Sequence, residues 1–488
     1  MTAWVIAAPL LSAILTIVFR NREARRFARV VLAAIAAVLP LSLVGTIDGL
    51  SGTFTAIVSV LGFLATVFST GTFTPDWGVG RAIWSRKSVY FVLLGAFWSA
   101  MLLVVLADNF AALWLGISAT TLATAFLVGF SGEAAALEAA WKYLVLCSVG
   151  IGFALLGIVA LAHVAIAAGI DPRLTLSWTA IAGHTTPAAP SLAQLATVLM
   201  LVGFATKAGL FPMHAWLPDA HSKAPAPISA LLSGVLVSCA LYAIMRTLEV
   251  GAALGVSPLL HQILVWLGAA SVIVAGALML VQRDLKRMLA YSTVEHAGIV
   301  ALALGFGGSL GFLAALLHVV GHAFAKSAAF FAAGMVQRDF STTTLGKLRG
   351  LWQRGGSGRL LLAALVALSG MPPFGLFVSE LLLVFAGIAA HQWVPLGLGL
   401  TGIALAFAAI ARNAIEIESG TAKAQGIESS PALEIPRTVE QRIAARLASV
   451  ASGAIAVALI GALGIAVVPW TSLGTSLLRI AATLESAP

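Results

Sequence analysis

Charge is scarce in this sequence. Only 10% of its 488 residues are Asp, Glu, Lys or Arg, whereas 60% are hydrophobic and the mean hydropathy is +1.02. Soluble domains carry about 25% charged residues. The deficit excludes a soluble domain, so the net charge of +9 does not point to a nucleic-acid partner. It predicts an all-α polytopic membrane protein.

Cysteine is scarce as well. Cys147 and Cys239 are the two cysteines, and both lie in apolar runs. They do not form the spacing of a disulfide framework, a zinc site or an iron–sulfur motif. The sequence also contains no GxxxxGK[ST] phosphate-binding motif. We therefore predict no cofactor, no metal and no catalytic or redox centre in this chain, and assign any redox chemistry to partner subunits.

The hydrophobic residues fall into segments that charged residues, proline and glycine separate. A membrane-spanning helix needs about 20 mainly apolar residues. Fourteen segments of about this length are predicted, at residues 3–19, 28–47, 52–72, 88–107, 109–130, 140–168, 191–212, 226–246, 258–281, 287–306, 309–337, 359–388, 393–412 and 443–469.

The basic residues support this count. Loops on the cytoplasmic side of a membrane protein collect Lys and Arg, and nearly all the basic residues follow odd-numbered segments. The opposite side has only Arg173, Arg246 and Arg479, while Lys207 and Lys326 fall inside segments. We therefore predict that both chain termini lie on the outer side of the plasma (inner) membrane.

One stretch places a lysine in an apolar run that prolines then interrupt. Lys207 lies between apolar residues, and Pro212 follows shortly after it. A charge at membrane depth costs about 2.5–3.5 kcal/mol on insertion scales and marks a functional candidate. Proline interrupts the helix, and broken helices at this depth occur where protein or a water-filled cavity satisfies the freed groups. Lys207 is therefore interpreted as part of an ion pathway; the alternative is a lysine that reaches the membrane surface.

A later segment aligns three titratable side chains. His318, His322 and Lys326 follow one another at four-residue spacing, which places them on one helical face. Histidine exchanges protons near neutral pH, which suits a relay through a dry interior. The alternative is a set of core histidines with backbone partners. A metal site is not indicated, because no third ligand of a suitable type lies in register with the two histidines.

A second interrupted segment carries the opposite charge. Pro372, Pro373 and Gly375 break it, and Glu380 lies in its apolar remainder. Paired discontinuous helices in two halves of a chain indicate inverted repeats. We predict two five-helix inverted repeats, each with a broken helix. The predicted regions are residues 1–87 (three N-terminal helices), 88–250 (first repeat), 251–412 (second repeat) and 413–488 (a polar linker over 413–442, then a last helix).

Two further groups of polar residues differ in their expected role. Glu295 and His296 lie two to three turns into an apolar segment, and a carboxyl group there favours its protonated form, as a proton relay requires. The alternative is a structural pair of Glu295 with Arg or Lys. Asp219, His221 and Lys223 lie in a proline-rich stretch and are expected to form a solvated loop.

These stretches resemble a known family, the antiporter-like membrane subunits of respiratory complex I, multisubunit cation/proton antiporters and membrane-bound hydrogenases. The resemblance is carried over residues 206–380 by TKAGLFPMHAWLPDAHSKAPAP, LKRMLAYSTVEH, LLHVVGHAFAK and PPFGLFVSE. Three other stretches are closest to the F component of hydrogenase-4 and formate hydrogenlyase-type complexes: ISATTLATAFLVGF, LEAAWKYLVLCSVGIGFALLG and STVEHAG.

The resemblance implies proton translocation along a central hydrophilic axis, driven by a peripheral redox arm and shared with other membrane subunits. It assigns Lys207 and Glu380 to the broken helices, and it places Lys286 with the histidine segment in the central relay. The predicted proton pathway then comprises Lys207, Lys286, Glu295, His296, His318, His322, Lys326 and Glu380.

The sequence departs from the family pattern in its first half. The family carries a glutamate that pairs with the broken-helix lysine, and Ser118 stands at that place. Some members have a lysine or histidine in the eighth segment, where this chain offers Ser233 and Ser238. The resemblance therefore implies an incomplete first half and a complete second half.

Three functions remain open on the sequence. The leading hypothesis is a proton-translocating subunit of a hydrogenase-4-like or complex I-like oxidoreductase. The second is a cation/proton antiporter, moving protons and sodium, or an inorganic-carbon uptake subunit of the same fold. The third is a non-conducting membrane scaffold, which Ser118 would favour.

Overall fold

The computed structural model describes residues 2–19, 21–72, 86–183, 190–354, 356–419 and 439–465. Throughout these ranges the chain is helical, with no strand beyond two isolated bridges, Asn109 with Ser177 and Asp284 with Thr344. The predicted all-α class is confirmed. Arg479 and most of the predicted polar linker lie outside the described residues.

Each of the fourteen predicted segments coincides, where it is described, with one long helix or with two helices in tandem. In chain order the helices are α1 (Thr2–Leu15), α2 (Arg22–Leu41), α3 (Gly49–Thr72), α4 (Arg86–Leu106), α5 (Phe110–Val128), α6 (Ala134–Ala167), α7 (Trp178–Ala182), α8 (Pro190–Ala208), α9 (Trp216–Lys223), α10 (Ala226–Leu231), α11 (Val237–Ala253), α12 (Ser257–Leu280), α13 (Leu285–Phe306), α14 (Gly308–Phe340), α15 (Leu351–Arg354), α16 (Gly356–Leu368), α17 (Gly375–Ala389), α18 (Trp393–Ser419) and α19 (Val439–Gly464).

Not every helix is long enough to cross a bilayer by itself. Among the described residues, 10 helical stretches have the length and hydropathy of a membrane span. The helices α1, α16, α17 and the apolar part of α19 are shorter. The count of fourteen crossings, the inverted repeats and the four regions therefore stay predictions.

The interior is formed by the spans 226–253 and 285–306, whose apolar windows are 100% buried. The windows of α6 and α18 are only 39% buried, so these helices present most of their apolar surface to the outside. Helix α14 packs against α13, and Glu295, His318 and Lys326 on these two helices are buried.

Both predicted helix interruptions are confirmed. Helix α8 ends at Ala208, where Gly209 adopts a positive φ of 73°, and Pro212 follows before α9 begins. Helix α16 ends at Leu368, where Gly370 has a φ of 69°. Glycine takes up this left-handed backbone without a steric penalty, and proline cannot supply the next helical donor.

The start of the polar linker needs correction. Helix α18 continues through Asn413 to Ser419, beyond the predicted boundary at residue 413. Asn413 is buried and donates to the Ala409 carbonyl (2.8 Å), and Ile417 is fully buried. The apolar face of the helix therefore extends past its last basic residue, Arg412, which had been taken as its end.

Candidate functional site

Lys207 lies in a pocket of hydroxyl groups and aromatic rings. It is fully buried in the last turn of α8, so its ammonium does not reach the surface. Its Nζ donates to Thr121 Oγ1 and Tyr143 Oη, both at 2.7 Å. The same nitrogen lies 4.7 Å from the Tyr143 ring centroid and 6.0 Å from that of Trp216. Neutral acceptors and aromatic faces therefore stabilise this charge.

No carboxylate of the described residues pairs with Lys207. Ser118 donates to the Trp114 carbonyl (2.9 Å) and does not contact the lysine. Glu138 is exposed and pairs with Lys142 (2.7 Å). Thr121, one turn after Ser118 on α5, makes the contact instead.

His221 was expected in a solvated loop, and the structure corrects this. It is fully buried on α9, where its ring stacks on Phe330 (centroids 5.5 Å apart, 19°) and lies near Trp216 (6.4 Å, 25°). Neither ring nitrogen makes a well-formed hydrogen bond to a described residue. The signal was present in the sequence: Trp216, Leu217 and Ala220 share the helical face of His221, and all are buried.

Lys286 ties the start of α13 to the end of α9. It is buried, and its Nζ donates to the Ala224 carbonyl at 2.5 Å. Carbonyl groups at a helix C-terminus carry partial negative charge, which favours an ammonium there. The charges of Lys286 and Lys326 both act on His221, so this imidazole lies within electrostatic range of both lysines.

Three histidines meet where α13, α14 and α17 adjoin. His296 Nδ1 lies 2.9 Å from His318 Nε2, and His318 Nδ1 lies 2.9 Å from Ser379 Oγ. The His322 ring centroid is 4.7 Å from that of His296. On its other side, His296 Nε2 faces Glu295 Oε2 at 3.5 Å. The result is a hydrogen-bonded chain from His296 through His318 to Ser379, with Glu295 close to the first imidazole but not hydrogen-bonded to it.

This chain has two hydrogen-bonding polarities. In the first, Ser379 donates to the Leu376 carbonyl (2.8 Å) and accepts from His318 Nδ1, so His318 Nε2 accepts from His296. In the second, Ser379 donates to His318 Nδ1, and His318 Nε2 donates to His296 Nδ1. Each imidazole stays neutral in both, because one ring nitrogen donates while the other accepts. Passage of one proton along the chain converts one polarity into the other.

Lys326 and Glu380 flank the histidines. Lys326 is fully buried, and its Nζ donates to the Leu289 carbonyl (3.2 Å) and to Ser292 Oγ. Glu380 lies against the bend at Gly370, where an added Cβ would come within 2.5 Å of a carboxylate oxygen. Glu295 interacts electrostatically with both Glu380 and Lys326. Of the eight predicted side chains, Glu295, His296, His318 and His322 adjoin one another. Lys286, Lys326 and Glu380 make separate contacts in the second half, and Lys207 has a pocket of its own.

A polar cavity of about 400 Å³ lies beyond this cluster. We define the basic face as the side where α13 starts, with Lys286 and Arg287, and the opposite face as the side where α13 ends at Phe306. The cavity lies at the opposite face, between the ends of α13 and α17, and its polar lining includes His261, Gln262 and Gln392. His261 Nδ1 lies 2.7 Å from the Leu304 carbonyl and donates to it.

Sequence analysis also missed a buried arginine at the opposite face. Arg246 had been counted as a loop residue, but it is buried and pairs with Asp48 (2.6 Å) and Glu249 (2.7 Å). Its guanidinium lies between the rings of Trp178 (4.8 Å) and Tyr242 (5.1 Å). Burial acts to raise the pKa of Asp48, but Arg246 and hydrogen bonds from Ser51 outweigh it, so this pKa is lowered.

The all-helical fold and its buried polar line define an antiporter-like membrane subunit. A family model described as NADH:quinone oxidoreductase/Mrp antiporter, TM, matches residues 107–406. The chain belongs to this family.

Relatives and a solved structure agree with this assignment. The chain is 36% identical over 349 residues to a hydrogenase-4 component F homolog of Methylacidiphilum infernorum, covering 70% of this chain and 72% of the relative. It is 32% identical over 354 residues to NADH-quinone oxidoreductase subunit N of Desulforudis audaxviator, covering 71% and 67%. A chain of respiratory complex I from Thermus thermophilus superposes with a TM-score of 0.80 at 20% identity, covering 100% and 99%, which confirms the fold.

Proposed function

We propose that this chain is the proton-translocating membrane subunit of a hydrogenase-4-like or complex I-like oxidoreductase. The observation that carries the proposal is the hydrogen-bonded chain from His296 through His318 to Ser379, with the Glu295 carboxylate 3.5 Å from the other ring nitrogen of His296. A chain that is complete in either polarity transfers a proton without forming an isolated imidazolium in the apolar interior, which would be costly.

Protons reach this chain from the basic face through α9. His221 is buried, and it is close enough to Lys286 and Lys326 for both charges to act on it. Lys326 in turn interacts with Glu295. In this proposal Lys286, His221 and Lys326 deliver the proton to Glu295, and water molecules occupy the gaps between side chains that do not touch.

Protons leave through the opposite face. Glu380 follows Ser379 on α17, and this helix leads to Ala390 and Gln392, which line the polar cavity. The cavity is large enough for several water molecules. Glu380 therefore collects the proton from the chain, and the cavity connects it to the aqueous phase.

The driving force comes from outside this chain. The hydrogenase-4 and complex I relatives are named as parts of oxidoreductases, and we assign this subunit to a plasma-membrane complex with other membrane subunits and a peripheral redox arm. A charge change near the redox arm would alter the charge balance at Lys286 and Lys326, and so start a proton along the chain.

Glu380→Gln tests the proposal. The amide keeps the shape of the side chain but cannot take up and release a proton. In membrane vesicles that contain the assembled complex, we expect proton translocation to fall about tenfold or more, with the amount of assembled complex unchanged. Glu138→Gln, on the exposed surface of α6, is the matched control and should translocate normally. Unaltered translocation in Glu380→Gln would contradict the proposal.

A second function is favoured by one observation, the pocket of neutral hydroxyls around Lys207. Among the described residues, the first half places no carboxylate beside Lys207, so only hydroxyl groups are in place to exchange a proton with it. In that case this half serves as a scaffold that holds the subunit in its complex, while the second half conducts.

A further inference from the structure

We propose that Arg29 binds a phosphate oxygen of an anionic phospholipid in a small cavity among the first helices. This site is separate from the proton pathway. It lies between α1, α2, α3 and α4, close to the basic face.

Arg29 is buried without an ion-pair partner in the described part of the chain. It is only 5% exposed, and its Nε has no hydrogen-bond partner among those residues. Its guanidinium lies 4.0 Å above the Phe91 ring, a contact that does not neutralise the charge. The one carboxylate on α2, Glu23, pairs instead with Arg26 (3.2 Å). Because buried charges are normally paired, an anion from outside the chain is expected.

The cavity beside Arg29 has one unused donor, the Nε of Arg29 itself. Trp98 also lines the cavity, but its indole nitrogen, which makes no hydrogen bond to any residue that the structure describes, lies against Gly62. The hydroxyls of Ser12, Thr16 and Thr66 all line the cavity and donate to carbonyl groups of their own helices. The hydroxyl groups therefore offer only lone pairs to the cavity, and the arginine is the donor that remains for a ligand. An arginine donor suits an acceptor oxygen of an anion.

The size of the cavity limits what can enter. Its volume of about 20 Å³ admits one water-sized atom group. A single non-bridging phosphate oxygen has this size, so the rest of the phosphate group would remain outside the cavity. Arginine also matches phosphate geometry through its paired donors.

The surroundings of Arg29 favour a lipid as the source. Arg29 is about 10 Å from the start of α2, at the depth of lipid head groups below the basic face. Large apolar side chains near the end of α1 and the start of α2 are exposed, including Leu15 (52%), Val18 (78%) and Phe27 (74%). These side chains can contact acyl chains while Arg25 and Arg26 add positive charge at the membrane surface, where each basic residue attracts anionic lipid.

The test compares Arg29→Gln with Arg25→Gln in the purified full-length chain. Both variants lose one charge on α2, but Arg25 is exposed and its Nε already donates to the Phe19 carbonyl (2.7 Å). Retention of phosphatidylglycerol is measured by native mass spectrometry after titration of the delipidated protein. We expect binding to weaken about tenfold in Arg29→Gln, the loss of a charge-assisted contact, and about fivefold or less in Arg25→Gln.

Further measurements identify the molecule that binds at Arg29. If Arg29→Gln does not fold, Ser12→Ala and Thr16→Val change the cavity wall and leave the charge in place. Wild-type protein should be stabilised against heat by phosphatidylglycerol and not by inorganic phosphate; equal stabilisation by inorganic phosphate would identify free phosphate as the source. Equal lipid binding by wild type and Arg29→Gln would overturn the proposal. Loss of a co-purifying subunit with lipid binding intact would overturn it in favour of a protein partner.

Discussion

The two broken helices hold their charges in opposite ways. Lys207 beside the first break is surrounded by Thr121, Tyr143 and Trp216, which are neutral. Glu380 beside the second break interacts with Glu295 and adjoins a chain of imidazoles. The same interruption of a helix thus accompanies a fixed charge in one half and a set of exchangeable protons in the other. A helix break at membrane depth makes room for a charge, and the neighbours of that charge decide whether it can conduct.

The largest expected difference in proton translocation is between substitutions of Lys326 and of Lys207. Methionine matches the length of lysine without its charge, so Lys326→Met should remove the group that faces Glu295 and reduce proton translocation about 100-fold. Lys207→Met should reduce it far less, because no carboxylate or imidazole of the described residues adjoins Lys207. Translocation is measured in vesicles with the assembled complex, and Lys347→Met, at an exposed lysine, is the control. Equal losses in the two buried variants would show that both halves conduct.

A smaller effect is expected from Ser379→Ala. This change removes the hydroxyl that ends the imidazole chain, so neither polarity is complete, and translocation should fall about tenfold. Ser379→Thr keeps the hydroxyl and should restore it. Nitrogen NMR of the labelled protein reports the tautomer of His318, which we expect to change in Ser379→Ala alone. A normal tautomer with reduced translocation would indicate a purely structural role for the serine.

Ser118→Glu should have a smaller effect on proton translocation, and it should act through the first half. Ser118 is one turn from Thr121 on α5, so a glutamate there can approach Lys207 and supply the missing carboxylate. We expect more protons translocated per electron, with Ser118→Gln as the uncharged control. A decrease would mean that the hydroxyl pocket already conducts and that the new ion pair immobilises its lysine.

The smallest effect concerns the Arg246 cluster at the opposite face. Because the pKa of Asp48 is lowered in the folded protein, the carboxylate stabilises the fold above its unfolded pKa of about 3.9. This contribution is lost as the pH falls through the lower folded value. Asp48 is half-exposed, so the effect on unfolding is at most about 1 kcal/mol. The melting temperature of Asp48→Asn should depend less on pH below about 4 than that of the wild type; identical profiles would contradict this.

The sequence predicted the helices and their interruptions because long apolar runs, proline and glycine act locally. It also predicted the buried stripe on α14 from the four-residue spacing of His318, His322 and Lys326. It did not predict Ser379, because a serine in an apolar helix carries no signal until the fold brings it to His318. His221 was misjudged because Pro218 and the charged residues beside it obscured the short apolar face of α9. The ion pair of Arg246 with Asp48 joins residues almost 200 positions apart, which no local pattern reveals.

The contacts at the end of α9 have a mechanical consequence. Lys286 donates to the Ala224 carbonyl, while Asp219 pairs with Lys142 of α6 (3.4 Å) and Arg287 of α13 (3.6 Å). These contacts join the two sides of the predicted boundary at residue 250. Helix α9 therefore links α6 and α13 mechanically. If a neighbouring subunit displaces either half, we expect the other half to move as well, even where no proton crosses between them.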